Sequence, residues 1–176
     1  SDAASSIDLT GLKTINAAGG ITRIALSNGA HLDLPVVQTL GDVMFDLSGG
    51  AQLTVTGAAP VAYTTTGIGS STPISVVGAG TVLDLSSVTS WNAGYDANNG
   101  SADVQTITAT GGGHINLSGL VTISPPVRGD DRVDIVLSDA ASSIDLSNLK
   151  TINAAGGVTR IALSNGAHLD LPSVET

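Results

Sequence analysis

The side chains able to do chemistry in this chain are mostly oxygen donors, with three histidines and a few aromatics. Four aspartates, Asp96, Asp103, Asp130 and Asp131, fall in two long polar stretches, and carboxylates gathered on loops are the usual oxygen ligands of calcium. Tyr63, Trp91 and Tyr95, the only tyrosines and tryptophan, sit at the roots of such stretches, with Asn98, Asn99 and Arg128 close by in sequence. Rings that stack on a sugar face, with amide and guanidinium donors around them, would form a shallow carbohydrate site. These ten residues are the candidate ligand-binding and metal-binding set. Calcium is the one cofactor they admit, and no catalytic group stands out among them.

What must position them is a repeat. Residues 138–176 restate residues 1–39 with five changes: Thr10 to Ser147, Gly11 to Asn148, Ile21 to Val158, Val36 to Ser173 and Gln38 to Glu175. A shorter motif inside that block, Ile7-Asp8-Leu9, recurs with its opening residue at Ile7, Leu32, Leu53, Leu83, Ile115, Ile144 and Leu169. The spacings are 25, 21, 30, 32, 29 and 25 residues, and periods of that length signal stacked supersecondary units. Each triplet alternates as a half-buried strand does. A second alternating stretch precedes most markers, as in Arg23-Ile24-Ala25-Leu26 and Asp134-Ile135-Val136-Leu137, and a Gly- or Asn-rich corner joins the two.

Further apolar positions fall five residues after each marker (Leu12, Val37, Ala58, Val88, Leu120, Leu149, Val174) and eight after it (Ile15, Leu40, Val61, Trp91, Ile123, Ile152). A step of three cannot stay on one face of a straight strand, so a corner is expected between these columns. Helical periodicity persists nowhere, and runs of Ser, Thr and Gly oppose it. The chain reads as one all-β domain over residues 1–176: a single-stranded parallel β-helix, or β-solenoid, of about seven coils of 21–32 residues. The strong bias of β-crossovers favours right-handed winding.

Stacking at about 4.8 Å per coil turns these positions into columns. His31, His114 and His168 each precede a marker and would stand roughly 10–14 Å apart, too far for a shared metal or a catalytic dyad. Asp8, Asp33, Thr54, Asp84, Asn116, Asp145 and Asp170 form one outward column, expected to be a solvated face. Thr14, Thr39, Ser90, Thr122, Thr151 and Thr176 form a hydroxyl column, which suits a strand ladder. The remaining corner varies from coil to coil. It is tight at Gly41-Asp42 and long over 64–72, 92–103 and 124–131. Insertions on adjacent coils land on one side of a solenoid, often its binding side.

Aromatics are 2% of residues and hydrophobics 41%, so the interior must be built from Ile, Leu, Val and Ala. With a net charge of −9 and six basic residues, a nucleic acid or an anionic membrane is not an expected partner, and no apolar run suits insertion into a bilayer. Cysteine is absent, which excludes disulfides and thiolate metal sites. The chain opens midway through a repeat and reads as a fragment of a longer array.

Runs such as Gly113-His114-Ile115-Asn116-Leu117-Ser118 resemble the β-helical repeats of giant bacterial secreted and surface proteins of the adhesin style. That resemblance implies an extracellular or cell-surface location and a structural or adhesive role as a rigid stalk or spacer. Its partners would be neighbouring repeats of the same polypeptide, with end-to-end self-association through unpaired strand edges. The alternative is a carbohydrate- or calcium-binding module using the long loops, with surface glycans as partners. Pectin-degrading enzymes share this architecture, but here Asp130-Asp131 and Gly113-His114 are the only echoes of their motifs and no Arg-x-Lys occurs. The expectation is that the chain is not an enzyme.

Overall fold

Short in-out alternations separated by Gly, Asn and Asp become seventeen strands in a computed structural model, which describes residues 9–16, 19–57, 60–95, 100–152 and 157–175. Ile7, Asp8, Ala58, Asp96, Asn98, Asn99 and Thr176 lie outside the described residues. The first turn runs β1 (Thr14–Asn16), β2 (Thr22–Leu26) and β3 (His31–Leu34). The second is β4 (Thr39–Gly41), β5 (Val43–Ser48) and β6 (Gln52–Val55). The third is β7 (Val61–Thr64), β8 (Ser71–Val77) and β9 (Val82–Asp84), and the fourth β10 (Val88–Asn92), β11 (Val104–Thr110) and β12 (His114–Asn116). The fifth is β13 (Thr122–Ser124), β14 (Arg132–Leu137) and β15 (Ser143–Asp145); β16 (Thr151–Ile152) and β17 (Val158–Leu163) open the sixth.

Every third strand pairs, always parallel. The result is a six-stranded sheet β1-β4-β7-β10-β13-β16, a second of six strands, β2-β5-β8-β11-β14-β17, and a third of five, β3-β6-β9-β12-β15. This is a parallel β-solenoid with three strands per turn. Five of the seven markers form one file: Leu32 pairs with Leu53, Leu53 with Leu83, Leu83 with Ile115 and Ile115 with Ile144. Leu169 packs half-buried against the core without belonging to a strand.

Two expectations need correction. In the file eight residues after each marker, the third turn is represented by Tyr63 and not Val61: Tyr63 pairs with Leu40 on one side and Trp91 on the other. That turn carries two extra residues between Leu53 and the first sheet, so Val61 pairs with Val88 instead. The corner expected between the five-after and eight-after positions lies earlier. It is a tight turn closed by Val88 N donating to Leu85 O (2.9 Å), and likewise Leu120 to Leu117 and Leu149 to Leu146. In the fourth turn a register shift between Val88 and Ser90, in the pairing of β10 with β7, falls within that step of three.

The interior is aliphatic apart from one aromatic run. Phe45 and Tyr63 stand 6.0 Å apart between ring centroids, and Tyr63 stacks on Trp91, also at 6.0 Å, with 20° between planes. Three of the chain's four Phe, Tyr and Trp rings are therefore buried in the core over the second to fourth turns. Corners from the second to the third sheet use residues that tolerate positive φ. Asn28 and Gly29 sit at φ 55 and 71°, and their repeat equivalents Asn165 and Gly166 at 51 and 79°.

Candidate functional site

The three long loops join the first sheet to the second in the third, fourth and fifth turns, so they line up on one edge of the solenoid. The segments between strands are 65–70, 93–103 and 125–131. What holds them is a buried polar network. Trp91 Nε1 donates to Thr65 Oγ1 (3.0 Å), Thr65 Oγ1 donates to Gln105 Oε1 (2.6 Å), and Gln105 Nε2 donates to Thr65 O (2.6 Å). Thr65 and Gln105 are buried. Gln105 enters here because it stands two residues before Ile107, in the inward phase of β11. In an apolar interior its amide would be costly without partners, and the loop backbone supplies them.

Trp91 and Tyr63, expected to offer ring faces to a sugar, are each 1% exposed. The Tyr63 hydroxyl donates to Val43 O at 2.7 Å. Burial foremost, and the nearby charge of Asp42, push its ionisation well above the ordinary tyrosine value. Neither ring presents a face to solvent. Tyr95 is half-buried and lies over Gly69, where a Cβ would come within 3.6 Å of its Cζ. Arg128 is half-buried and pairs with Asp130 at 2.8 Å.

Of the proposed metal ligands, Asp103 and Asp131 are brought together. Asp103 N donates to Asp131 Oδ1 at 2.8 Å, and Asp103 Oδ1 accepts from Ser70 Oγ at 2.9 Å. Both carboxylates are buried. Asp131 Oδ2 is buried with no hydrogen-bond partner, the one feature among the described residues of this edge that a cation would answer. Asp130 turns away to Arg128. Among the described residues no three His, Cys, Asp or Glu side chains converge in a way that could hold a metal ion.

The outward carboxylate column has a structural employment that spacing did not reveal. Asp84 Oδ1 accepts from Ser86 N, Asn116 Oδ1 from Ser118 N and Asp145 Oδ1 from Ser147 N, at 2.9–3.0 Å. Each side chain thus closes the corner that follows it, an Asx-turn. Its signal was the Asp/Asn-x-Ser spacing. Two histidines pair with the carboxylate two residues on, His31 with Asp33 (3.1 Å) and His168 with Asp170 (2.9 Å), and His114 Nδ1 meets Ser143 Oγ one turn away. On the second sheet Asp134, nearly buried, is held by Arg132 and by Arg160 in the next turn, which approaches to 2.5 Å. The hydrogen bond and charge of Asp134 raise the Arg160 pKa.

Taken together, the described residues of the loop edge form a packed polar brace with one unanswered carboxylate oxygen, and the strands form parallel ladders. No known protein family, no curated protein sequence and no solved structure matches this chain.

Proposed function

We propose that this chain is a rigid, non-catalytic spacer from a large extracellular or cell-surface repeat protein, holding other segments at a fixed distance. The observation that carries this reading is the parallel ladder that continues through successive turns, with register shifts at Val88/Ser90 and Gln105/Ile107, and a 39-residue block that recurs with five changes. Length built by duplicating whole turns serves a spacer directly, whereas catalysis needs only one site. The buried loop brace supports it too, because Trp91, Thr65, Gln105 and Asp103 are engaged with one another or with Ser70 and Asp131.

A second reading is favoured by one atom. The unpartnered Asp131 Oδ2 would be satisfied by a calcium ion seated among the long loops, with a surface glycan as the further ligand. One experiment separates the two: thermal melting with calcium and with chelator, beside a glycan array. The spacer reading expects unchanged melting and no glycan retained. A calcium-dependent rise in melting temperature that Asp131→Asn abolishes would replace it with the binding module. Turnover of a pectin-like polymer would overturn both.

A further inference from the structure

Among the described residues, two buried side-chain oxygens have no hydrogen-bond partner, Asp131 Oδ2 and Thr159 Oγ1. They belong to adjacent turns at one corner. Asp131 immediately precedes β14, and its carbonyl accepts from Val158 N at 3.0 Å, which sets it beside Gly157 in the sixth turn. Thr159 pairs with Val133, two residues beyond Asp131. Residues two apart on a strand share a face, and Asp131 and Val133 are both buried. The two orphaned oxygens therefore come from inward positions diagonal to each other across one ladder. With about 4.8 Å between strands and about 3.3 Å per residue, such positions stand roughly 8 Å apart at the backbone, a span that a carboxylate and a hydroxyl reaching inward can close onto one small ligand.

Charge and donor type select that ligand. Asp131 Oδ1 accepts from Asp103 N at 2.8 Å, and the Asp103 carboxylate is buried one turn away. A buried carboxylate calls for a compensating positive charge, and a second one close by adds to the demand. Arg132 and Arg160, the residues that follow Asp131 and Thr159, give their guanidinium groups to Asp134. Backbone oxygens crowd the same corner: a Cβ on Gly157 would stand 2.0 Å from Pro126 O and 3.3 Å from Arg128 O. The donors named here are all oxygens, in an irregular arrangement. Calcium takes such carboxylate, carbonyl and hydroxyl oxygens in flexible geometry, whereas magnesium demands a near-ideal octahedron and keeps several of its waters. The repeat supplies the contrast. Thr22, the equivalent of Thr159 in the first copy, is not among the orphans. The aspartate at its corner, Asp42, accepts from Gly67 N at 2.7 Å with its Oδ1.

We propose that one calcium ion is held in the interior between the fifth and sixth turns by the Asp131 carboxylate and the Thr159 hydroxyl, with Asp103 adding negative charge, and that it clamps these turns together. The inference rests on the calcium of the second reading above, and gives it a second ligand, a place and a task. The ion is a structural one and needs no glycan. Because one ligand comes from the fifth turn and the other from the sixth, binding ties β14 to β17. A ligand that binds only the folded arrangement stabilises it by mass action, so the junction between these turns stiffens as calcium rises.

Calcium chloride is titrated calorimetrically into the full-length chain and into full-length Asp131→Asn, Thr159→Val, Thr159→Ser and Thr22→Val, each checked by circular dichroism for an unchanged β spectrum. The expected result is a single calcium per parent chain, unchanged affinity in Thr22→Val and Thr159→Ser, at least tenfold weaker binding in Thr159→Val, and none in Asp131→Asn. Magnesium should bind the parent at least tenfold more weakly, and calcium should slow amide exchange in β17. Full-strength binding by Thr159→Val, or β17 exchange in the parent that calcium leaves unchanged, would overturn the clamp while the calcium reading stood on the loss in Asp131→Asn. A folded parent that takes up no calcium, or undiminished binding by Asp131→Asn, would overturn both. Magnesium bound as tightly as calcium would overturn the choice of ion.

Discussion

At the scale of single residues, the loop edge is governed by satisfaction of buried polar groups. Thr65 Oγ1 is the hub, accepting from Trp91 Nε1 and donating to Gln105 Oε1. Removing only the hydroxyl strands both partners, and an unsatisfied buried group costs about 1–3 kcal/mol. Thr65→Val should therefore lower unfolding stability by roughly that amount in urea titration. Adding Gln105→Leu should cost less than the sum of the two single changes, because one orphan is then gone; strict additivity would show that the hub is not shared. Asp139 gives a second test. Its carboxylate accepts from Ser142 Oγ (2.8 Å), Gly111 N (2.7 Å) and Ala141 N (3.0 Å). The Ser142 hydroxyl foremost, with these amides, lowers its pKa from 3.8 against an opposing push from desolvation. Because the folded-state pKa is depressed, the stabilisation is present above 3.8 and is lost as pH falls through the lower folded value. Carbon NMR titration should place the Asp139 midpoint below that of an unfolded peptide; a midpoint at or above it would remove the effect.

At the scale of elements, much was legible because the side-chain period of a strand is two and the marker file is apolar in every turn. The second-sheet stretches fall in register as their spacing implies, from Ile24 over Phe45 to Ile135 over Ile161. The substitution of Tyr63 for Val61 in the core file was not legible, since both are apolar at alternate positions and the two inserted residues leave no mark on hydropathy. Nor was the Thr65–Gln105 pair, whose partners are 40 residues apart and meet only once turns stack. The corners carry a prediction of their own. Gly113 aligns with Ala51, Thr81 and Ser142, which all bear side chains, through the ladder of His114 N to Thr81 O and Ser143 N to Gly113 O. Yet a Cβ at Gly113 would stand 2.4 Å from Val76 O, a backbone atom that cannot swing aside. Gly113→Ala should thus destabilise by about 1–3 kcal/mol, whereas Ala51→Gly, in an aligned corner, should not relieve anything. Equal stability of Gly113→Ala and the parent would mean that this corner is looser than its geometry.

At the scale of the whole molecule, stability is a sum of neighbour-to-neighbour terms along one axis. An inner turn is sandwiched and an end turn is not. The same repeat position shows the consequence: Ile135 is 0% exposed and Ile161, one turn further on, is 38% exposed. Ile135→Ala should cost about 2–5 kcal/mol, since it leaves a cavity between two fixed turns. Ile161→Ala should cost less than half as much, because one side of that residue already meets water. Amide exchange ought to follow the same gradient, slowest in β8 and β11 and fastest in β2 and β17, with opening free energies rising from the ends inward. A uniform exchange rate across all turns would mean that the solenoid unfolds as one block, and the neighbour-by-neighbour account would fail with it.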